Sequence, residues 1–246
     1  MIRINFFLAI GILLLIQSCY DSIELENGGV LKIAKNSNGI ITDSLTYNRN
    51  GELHGFIKST DKEGFVIYID YKNGAKDGIY KDFYKNKNLH INGHFNDGKK
   101  WREWIEYREN GVVSRYEAYT PEEDLVYLRI YDEKGKLKSK SGEAFMFYSF
   151  KPEDSIIYVD NTLLANIFIA YPPNCILKAR TILYNPQDSI VNVMEYTFNK
   201  AFVLIKEHFE SVGTYRMKTY WIMKDTIENE IEKGISSTEY EVLKRK

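Results

Sequence analysis

Two histidines four apart, His90 and His94, with Gly93 between them, come nearest to a metal-binding pair in this 246-residue chain. Imidazoles at that spacing share one face of a helix and can clasp one ion. The segment from Leu89 to Phe95 reads instead as a strand, where positions four apart share a face but stand about 13 Å apart. No Cys, Asp or Glu is adjacent in sequence, so both are read as surface-strand residues. His54 and His208 are isolated. Glu122-Glu123-Asp124 and Asp132-Glu133 sit after Pro121 and before Lys134-Gly135, the setting of solvated turns. Cys175, beside Ile176-Leu177, reads as a small buried hydrophobe and not as a nucleophile. No Gly-rich phosphate loop and no Gly-x-Ser-x-Gly elbow occurs. The expectation is no catalytic residue, no metal site and no cofactor. Cys19 is the exception, because its surroundings imply chemistry. Met1-Ile2-Arg3 gives a positive start, Phe6 to Ile16 is an unbroken apolar run, and Leu15-Ile16-Gln17-Ser18-Cys19 follows. That is the layout of a secretory signal peptide. The run is too short for a span, which needs about 20 apolar residues, and Asp21, Glu24 and Glu26 follow it closely.

Leu15-Ile16-Gln17-Ser18-Cys19 resembles the lipobox of bacterial lipoproteins. In the usual pattern a small residue stands where this chain has Gln17. The resemblance implies that residues 1–18 are removed and that Cys19 is diacylated and becomes the first residue. Two acyl chains anchor a protein stably where one is marginal. The expected address is the bacterial cell envelope, lipid-anchored through Cys19, on a periplasmic or surface-exposed face of the outer membrane. A stretch of chain near residues 20–30 is read as a flexible tether within a segment, 19–46, that also holds the first strands.

Composition narrows the class. The formal net charge is −1 and no Lys/Arg block stands out, so nucleic acid is excluded as a partner, since phosphate backbones demand a basic face. Tyrosine is abundant, with 19 residues against 5 prolines, and apolar and polar residues alternate throughout, which points to an all-β chain. With Cys19 acylated, Cys175 has no disulfide partner.

The middle of the chain repeats itself. Tyr71 and Gly74 are matched 24 residues later by Phe95 and Gly98, Tyr80 by Trp104, Phe83 by Tyr107 and then Tyr131, and Gly111 by Gly135. About four units cover residues 47–142, the mark of an architecture in which each unit packs on its neighbours. Asn73-Gly74 and Asp77-Gly78 read as turn residues that accept positive φ, flanking a tight connection. Ile79 to Tyr84 and Leu89 to Phe95 read as strands. The expected product is a ribbon of antiparallel hairpins with one aromatic and one charged face. Tyr80, Phe83, Trp104 and Tyr107 then form a thin core, or some of them face a partner. Tyr80, Trp101, Trp104 and Tyr107 are the candidate partner-binding aromatics. Trp101 and Trp104 are three apart, so they face opposite sides and one of them is partly exposed.

The pattern aromatic-x-x-Gly-x-x-x-Gly-x-aromatic-x-x-aromatic, carried by Tyr71, Gly74, Gly78, Tyr80 and Phe83, resembles the bacterial MORN-type repeat in the variant labelled YwqK-family antitoxin component. Phe95, Gly98, Trp104 and Tyr107 match it too, with Arg102 in place of the second glycine. The resemblance implies an interaction or scaffolding module.

Residues 144–246 change character. Phe145–Phe150, Ile156–Val159, Leu163–Ala170, Cys175–Tyr184, Ile190–Phe198, Ala201–Ile205, Thr214–Lys224 and Thr238–Leu243 read as strands. That number in about 100 residues predicts an immunoglobulin-like β-sandwich. Tyr215 resembles the corner tyrosine whose hydroxyl bonds to upstream backbone in such domains. The chain is therefore expected to be a membrane-anchored envelope lipoprotein, a non-enzymatic binding or scaffolding module for a protein or glycan partner. The alternatives are an immunity or antitoxin-like inhibitor of a toxin, and a glycan-active enzyme.

Overall fold

The computed structural model describes residues 20–142, 144–149, 157–159, 162–198 and 202–244. Residues 1–19, which hold the expected signal segment and Cys19, lie outside them. The described residues are all-β, as the alternation predicts.

Eleven strands form one antiparallel meander in which each strand pairs with the next: β1 (Asp21–Glu24), β2 (Val30–Lys35), β3 (Ile41–Tyr47), β4 (Gly55–Thr60), β5 (Val66–Lys72), β6 (Ala75–Phe83), β7 (Leu89–Asn96), β8 (Lys99–Tyr107), β9 (Val113–Tyr119), β10 (Leu125–Tyr131) and β11 (Leu137–Gly142). The ribbon is longer than the repeat period suggests. The expected tether at residues 20–30 is instead β1, its turn and the start of β2, with Asp21 paired to Ile33. Asn36, Asn48, Asp61 and Asp132 each close a four-residue turn by accepting the N–H groups two and four residues on. This Asx chemistry recurs along the ribbon, while the turns that start at Tyr84 and Arg108 keep the same backbone bonds without it.

One turn expectation fails informatively. Asp77-Gly78 does not turn the chain; it lies inside β6. Tyr71 pairs with Lys76 and Ile69 with Tyr80, so three residues of β6 face Asp70 alone. Gly78 bulges at φ 123° and the Ile79 N–H donates to Asp70 Oδ2 at 3.0 Å. The next unit repeats the bulge: His94 pairs with Trp101 and Asn92 with Ile105, leaving three residues of β8 against Gly93. Arg102, in the glycine's place, still takes φ 58°. In each unit one of the two facing positions is a glycine. In the second the room is used by the Trp104 ring, which lies where a Gly93 side chain would project. A Cβ on Gly78 would stand 2.7 Å from Asp70 Cβ. Gly78→Ala is therefore expected to cost about 1–3 kcal/mol, read as a lowered midpoint in thermal unfolding; an unchanged midpoint would show that the bulge relaxes freely.

The remaining strands make two sheets. β12 (Phe145–Ser149), β14 (Thr162–Ile169) and β17 (Phe202–His208) form one; β13 (Ile157–Tyr158), β19 (Ile231–Leu243), β18 (Gly213–Asp225), β15 (Cys175–Tyr184) and β16 (Ile190–Thr197) form the other, in that order, with β13 parallel to β19. This strand order is that of an immunoglobulin-like sandwich. All eight strands read from the sequence are present; the last begins at Ile231, earlier than expected. Tyr215, Met217, Thr219, Trp221 and Met223 point inward and are buried, as the alternation requires. Tyr215 Oη pairs with the Ser211 hydroxyl at 2.8 Å, so the corner uses a side chain instead of the expected backbone group.

The two bodies share a core. Tyr116, Ala118, Tyr127 and Tyr131 of the ribbon join Ile169, Leu177, Leu183, Phe209, Met217 and Met223 of the sandwich in one buried cluster. One face of the last ribbon strands is thus committed to the sandwich.

Candidate binding site

Alternation along the strands sorts the four candidate aromatics. Trp104 pairs with Glu117 and Glu106 with Arg115, so these side chains share a face; Glu103 and Ile105, paired with Ala118 and Tyr116, lie on the opposite face, towards the sandwich. Tyr80 pairs with Gly93 and stacks on Trp104, with ring centroids 5.3 Å apart. Tyr107 falls on the sandwich side, and its hydroxyl pKa is raised by burial and then by Glu103. Trp101, paired with His94, also lies opposite Trp104. The structure therefore brings Tyr80 and Trp104 together and separates Trp101 and Tyr107 from them. The expected division into one aromatic and one charged face does not hold. Consensus aromatics three apart must fall on alternate faces of a strand, so Tyr80 and Trp104 serve one side and Phe83 and Tyr107 the other.

The first face carries an open groove of about 450 Å³. Its floor is Tyr80, Phe95 and Trp104, with Phe95 edge-on to Tyr80 at 5.7 Å and to Trp104 at 4.9 Å. Trp104 is only 6% exposed, and its Nε1–H donates to the His94 carbonyl at 3.0 Å. It is a structural base more than a platform. Cations cover the rings: Lys76 Nζ lies 4.9 Å from the Phe95 centroid and Lys100 Nζ 4.6 Å from that of Trp104. Lys100 also sits 3.6 Å from Glu117, which accepts from Arg115 Nε and from the Tyr119 hydroxyl at 2.8 Å. Burial, then Asp82, raises the Tyr80 pKa, so this phenol stays neutral. The groove offers an aromatic floor under a polar, cation-bearing rim. Chemically, that combination suits a ligand with an apolar face and polar or anionic edges.

Sequence reasoning reached Tyr80 and Trp104 through the 24-residue period. It passed over Lys76, Lys100 and Arg115, whose types alone cannot be told from ordinary surface cations.

The histidines do not converge. His90 Nδ1 lies 3.1 Å from Asp82 Oδ2, across the strand pair. The His94 pKa is lowered by burial and then by Arg102, which keeps it neutral. Among the described residues no group of three or more His, Cys, Asp or Glu is placed to hold a metal ion. Cys175 is buried, which pushes its thiol up to about 11.

Two polar clusters that the sequence did not announce lie at the junction. Arg129, 1% exposed, donates to Asp225 Oδ2 at 2.9 Å, to Glu232, to the Tyr127 hydroxyl at 2.8 Å and to Cys175 Sγ at 3.3 Å. It comes from β10, as does Tyr127, and its other three partners come from β15, β18 and β19, so a single guanidinium ties ribbon to sandwich. Nearby, Glu103 Oε1 accepts from the Tyr116 hydroxyl at 2.7 Å and from the Tyr171 N–H at 3.2 Å. Burial is the largest influence on Glu103 and raises its carboxyl to about 7.

No protein-family model matches this chain, and no curated protein matches it.

Proposed function

We propose that this protein is a lipid-anchored envelope protein working as a non-enzymatic binding module, with MORN-like repeats as its ribbon. The observation that carries the reading is the Tyr80–Phe95–Trp104 groove. It sits on the ribbon face that the sandwich leaves uncovered, and its rings and cations are held in place by neighbouring strands. Such a surface recognises by shape and charge. The address rests on the first 19 residues of the sequence.

The geometry gives the anchor a consequence. β1 begins at Asp21, two residues past Cys19. Ten inter-strand steps of about 4.8 Å separate β1 from β11, so the ribbon spans roughly 50 Å. Lipid on Cys19 would hold the first strand at the membrane and let the ribbon carry its groove and the sandwich outward. Its partner is a protein or glycan.

Metabolic labelling with a clickable fatty acid tests the anchor. The full-length protein is expected to take up label and sediment with membranes, and Cys19→Ala to do neither. Unlabelled wild-type protein, or equal labelling of the variant, would remove the lipid from the account.

A further inference from the structure

The sandwich carries a second surface, unrelated to the groove. β16 is the last strand of the five-stranded sheet and pairs only with β15 among the described residues. Natural edge strands are usually blunted with lysine, proline or a central bulge. β16, Ile190-Val191-Asn192-Val193-Met194-Glu195-Tyr196-Thr197, has no lysine, proline or central bulge and a single charge, Glu195; its register shift lies at the Ile190 end. Ile190, Val191 and Val193 are exposed. The Val193 N–H donates to Asn192 Oδ1 at 2.8 Å, a side-chain acceptor that an incoming backbone carbonyl can replace.

The outer face beside this edge has an unusual make-up. The register sets residues in rows across the strands: Ile176, Lys224 and Ile231; Lys178, Ile222 and Lys233; Arg180, Tyr220 and Ile235; Ile182, Lys218 and Ser237. Lys178, Arg180, Lys218, Lys224 and Lys233 alternate there with apolar side chains. On β16 these rows meet Thr197, Glu195 and Val193, and Glu195 lies 3.8 Å from Arg180. A chain of net charge −1 thus gathers cations on one face. Three of these isoleucines are well exposed, Ile235 at 66%, Ile231 at 63% and Ile222 at 52%, whereas Ile182 is buried. A depression of about 730 Å³ opens between Lys178, Arg180, Tyr220, Ile222 and the Glu195–Thr197 end of β16. Large apolar side chains left exposed together on one face, here interleaved with cations, suit an interaction site.

We propose that this edge and face together bind an extended acidic polypeptide segment, which adds to β16 as a further strand. The edge supplies backbone donors and acceptors, which only a polypeptide can match in register. The face supplies Lys178 and Arg180, one strand in from β16, for Asp or Glu at every second position of the added strand; the residues between them turn to the other side of the sheet, beside Met194 and Tyr196. A lipid surface would use the cations and isoleucines but not the edge. The inference goes beyond the proposed function: it uses neither the groove nor Cys19.

The test uses a fluorescent ten-residue peptide of alternating Glu and Val, with its Lys/Val counterpart as control, titrated against the full chain. Vesicles containing phosphatidylglycerol are titrated in parallel. The Glu/Val peptide is expected to bind at least tenfold more tightly than the Lys/Val peptide. Lys178→Glu combined with Arg180→Glu, two exposed positions, is expected to weaken it at least tenfold, and Val193→Pro to weaken it comparably while unfolding at the wild-type temperature. If Val193→Pro does not fold, the charge-reversal pair decides. Absence of peptide binding, binding indifferent to the charge reversal, or association with vesicles alone would overturn the proposal.

Discussion

Arg129→Met is expected to destabilise the protein by about 3–5 kcal/mol, because it strands Asp225 and Glu232 as carboxylates without their buried partner. Arg129 is closed from water, and its hydrogen-bond partners come from both bodies. Methionine fills comparable volume, so the loss reports charge and hydrogen bonding more than packing. Asp225 keeps its backbone bonds from Ile227 and Glu228, and Glu232 keeps Lys140 at 3.2 Å; the damage therefore concentrates at the junction. For a chain of this size the change corresponds to a fall in Tm of roughly 6–20 °C. Adding Glu232→Gln should recover part of it by removing one stranded charge. A loss of under about 1 kcal/mol would mean that water reaches the guanidinium, as at a surface ion pair.

Glu103 should make stability depend on pH in a way that Glu103→Gln abolishes. Its carboxyl titrates at about 7 in the folded protein against an ordinary 4.5, chiefly through burial. The folded state therefore holds a proton that the unfolded chain releases. Stability from this group is full below about 4.5, declines as pH rises towards 7, and is flat above. At 1.36 kcal/mol per pH unit, the decline amounts to roughly 3 kcal/mol. Glutamine keeps the side chain's shape with no charge to desolvate. The wild-type minus variant difference in unfolding free energy should thus shift against the wild type between pH 4 and pH 8. A difference that stays constant across that range would show that Glu103 is ionised and solvated when folded.

The elements were legible where local chemistry dictates them. The Asx turns announce themselves by Asn or Asp at the first position, as at Asn48 and Asp132, and inward residues of β18 follow from simple alternation. Two kinds of feature were hidden. The bulge at Gly78 looked like a turn because both use glycine at positive φ; only the cross-strand partner, Asp70, tells them apart. The junction was invisible for a different reason. Arg129 lies in Leu125–Tyr131 with tyrosines two residues away on either side, and nothing local reveals that this face is covered by a domain some 100 residues on. Its partners Asp225 and Glu232 drew no reading from the sequence, because nothing beside them marks a carboxylate that the fold brings inward. The groove was half-legible: the repeat period gave its rings, while its cations gain meaning only from lying over Phe95 and Trp104.

The central claim is that this protein acts by holding a partner against the ribbon groove. Capture from envelope extract with full-length protein tests it most directly, comparing wild type with the double variant Lys76→Ala, Lys100→Ala after confirming equal Tm. The account predicts one partner recovered repeatedly by the wild type and lost by the variant. Equal recovery by both proteins, or nothing recovered by either, would contradict it.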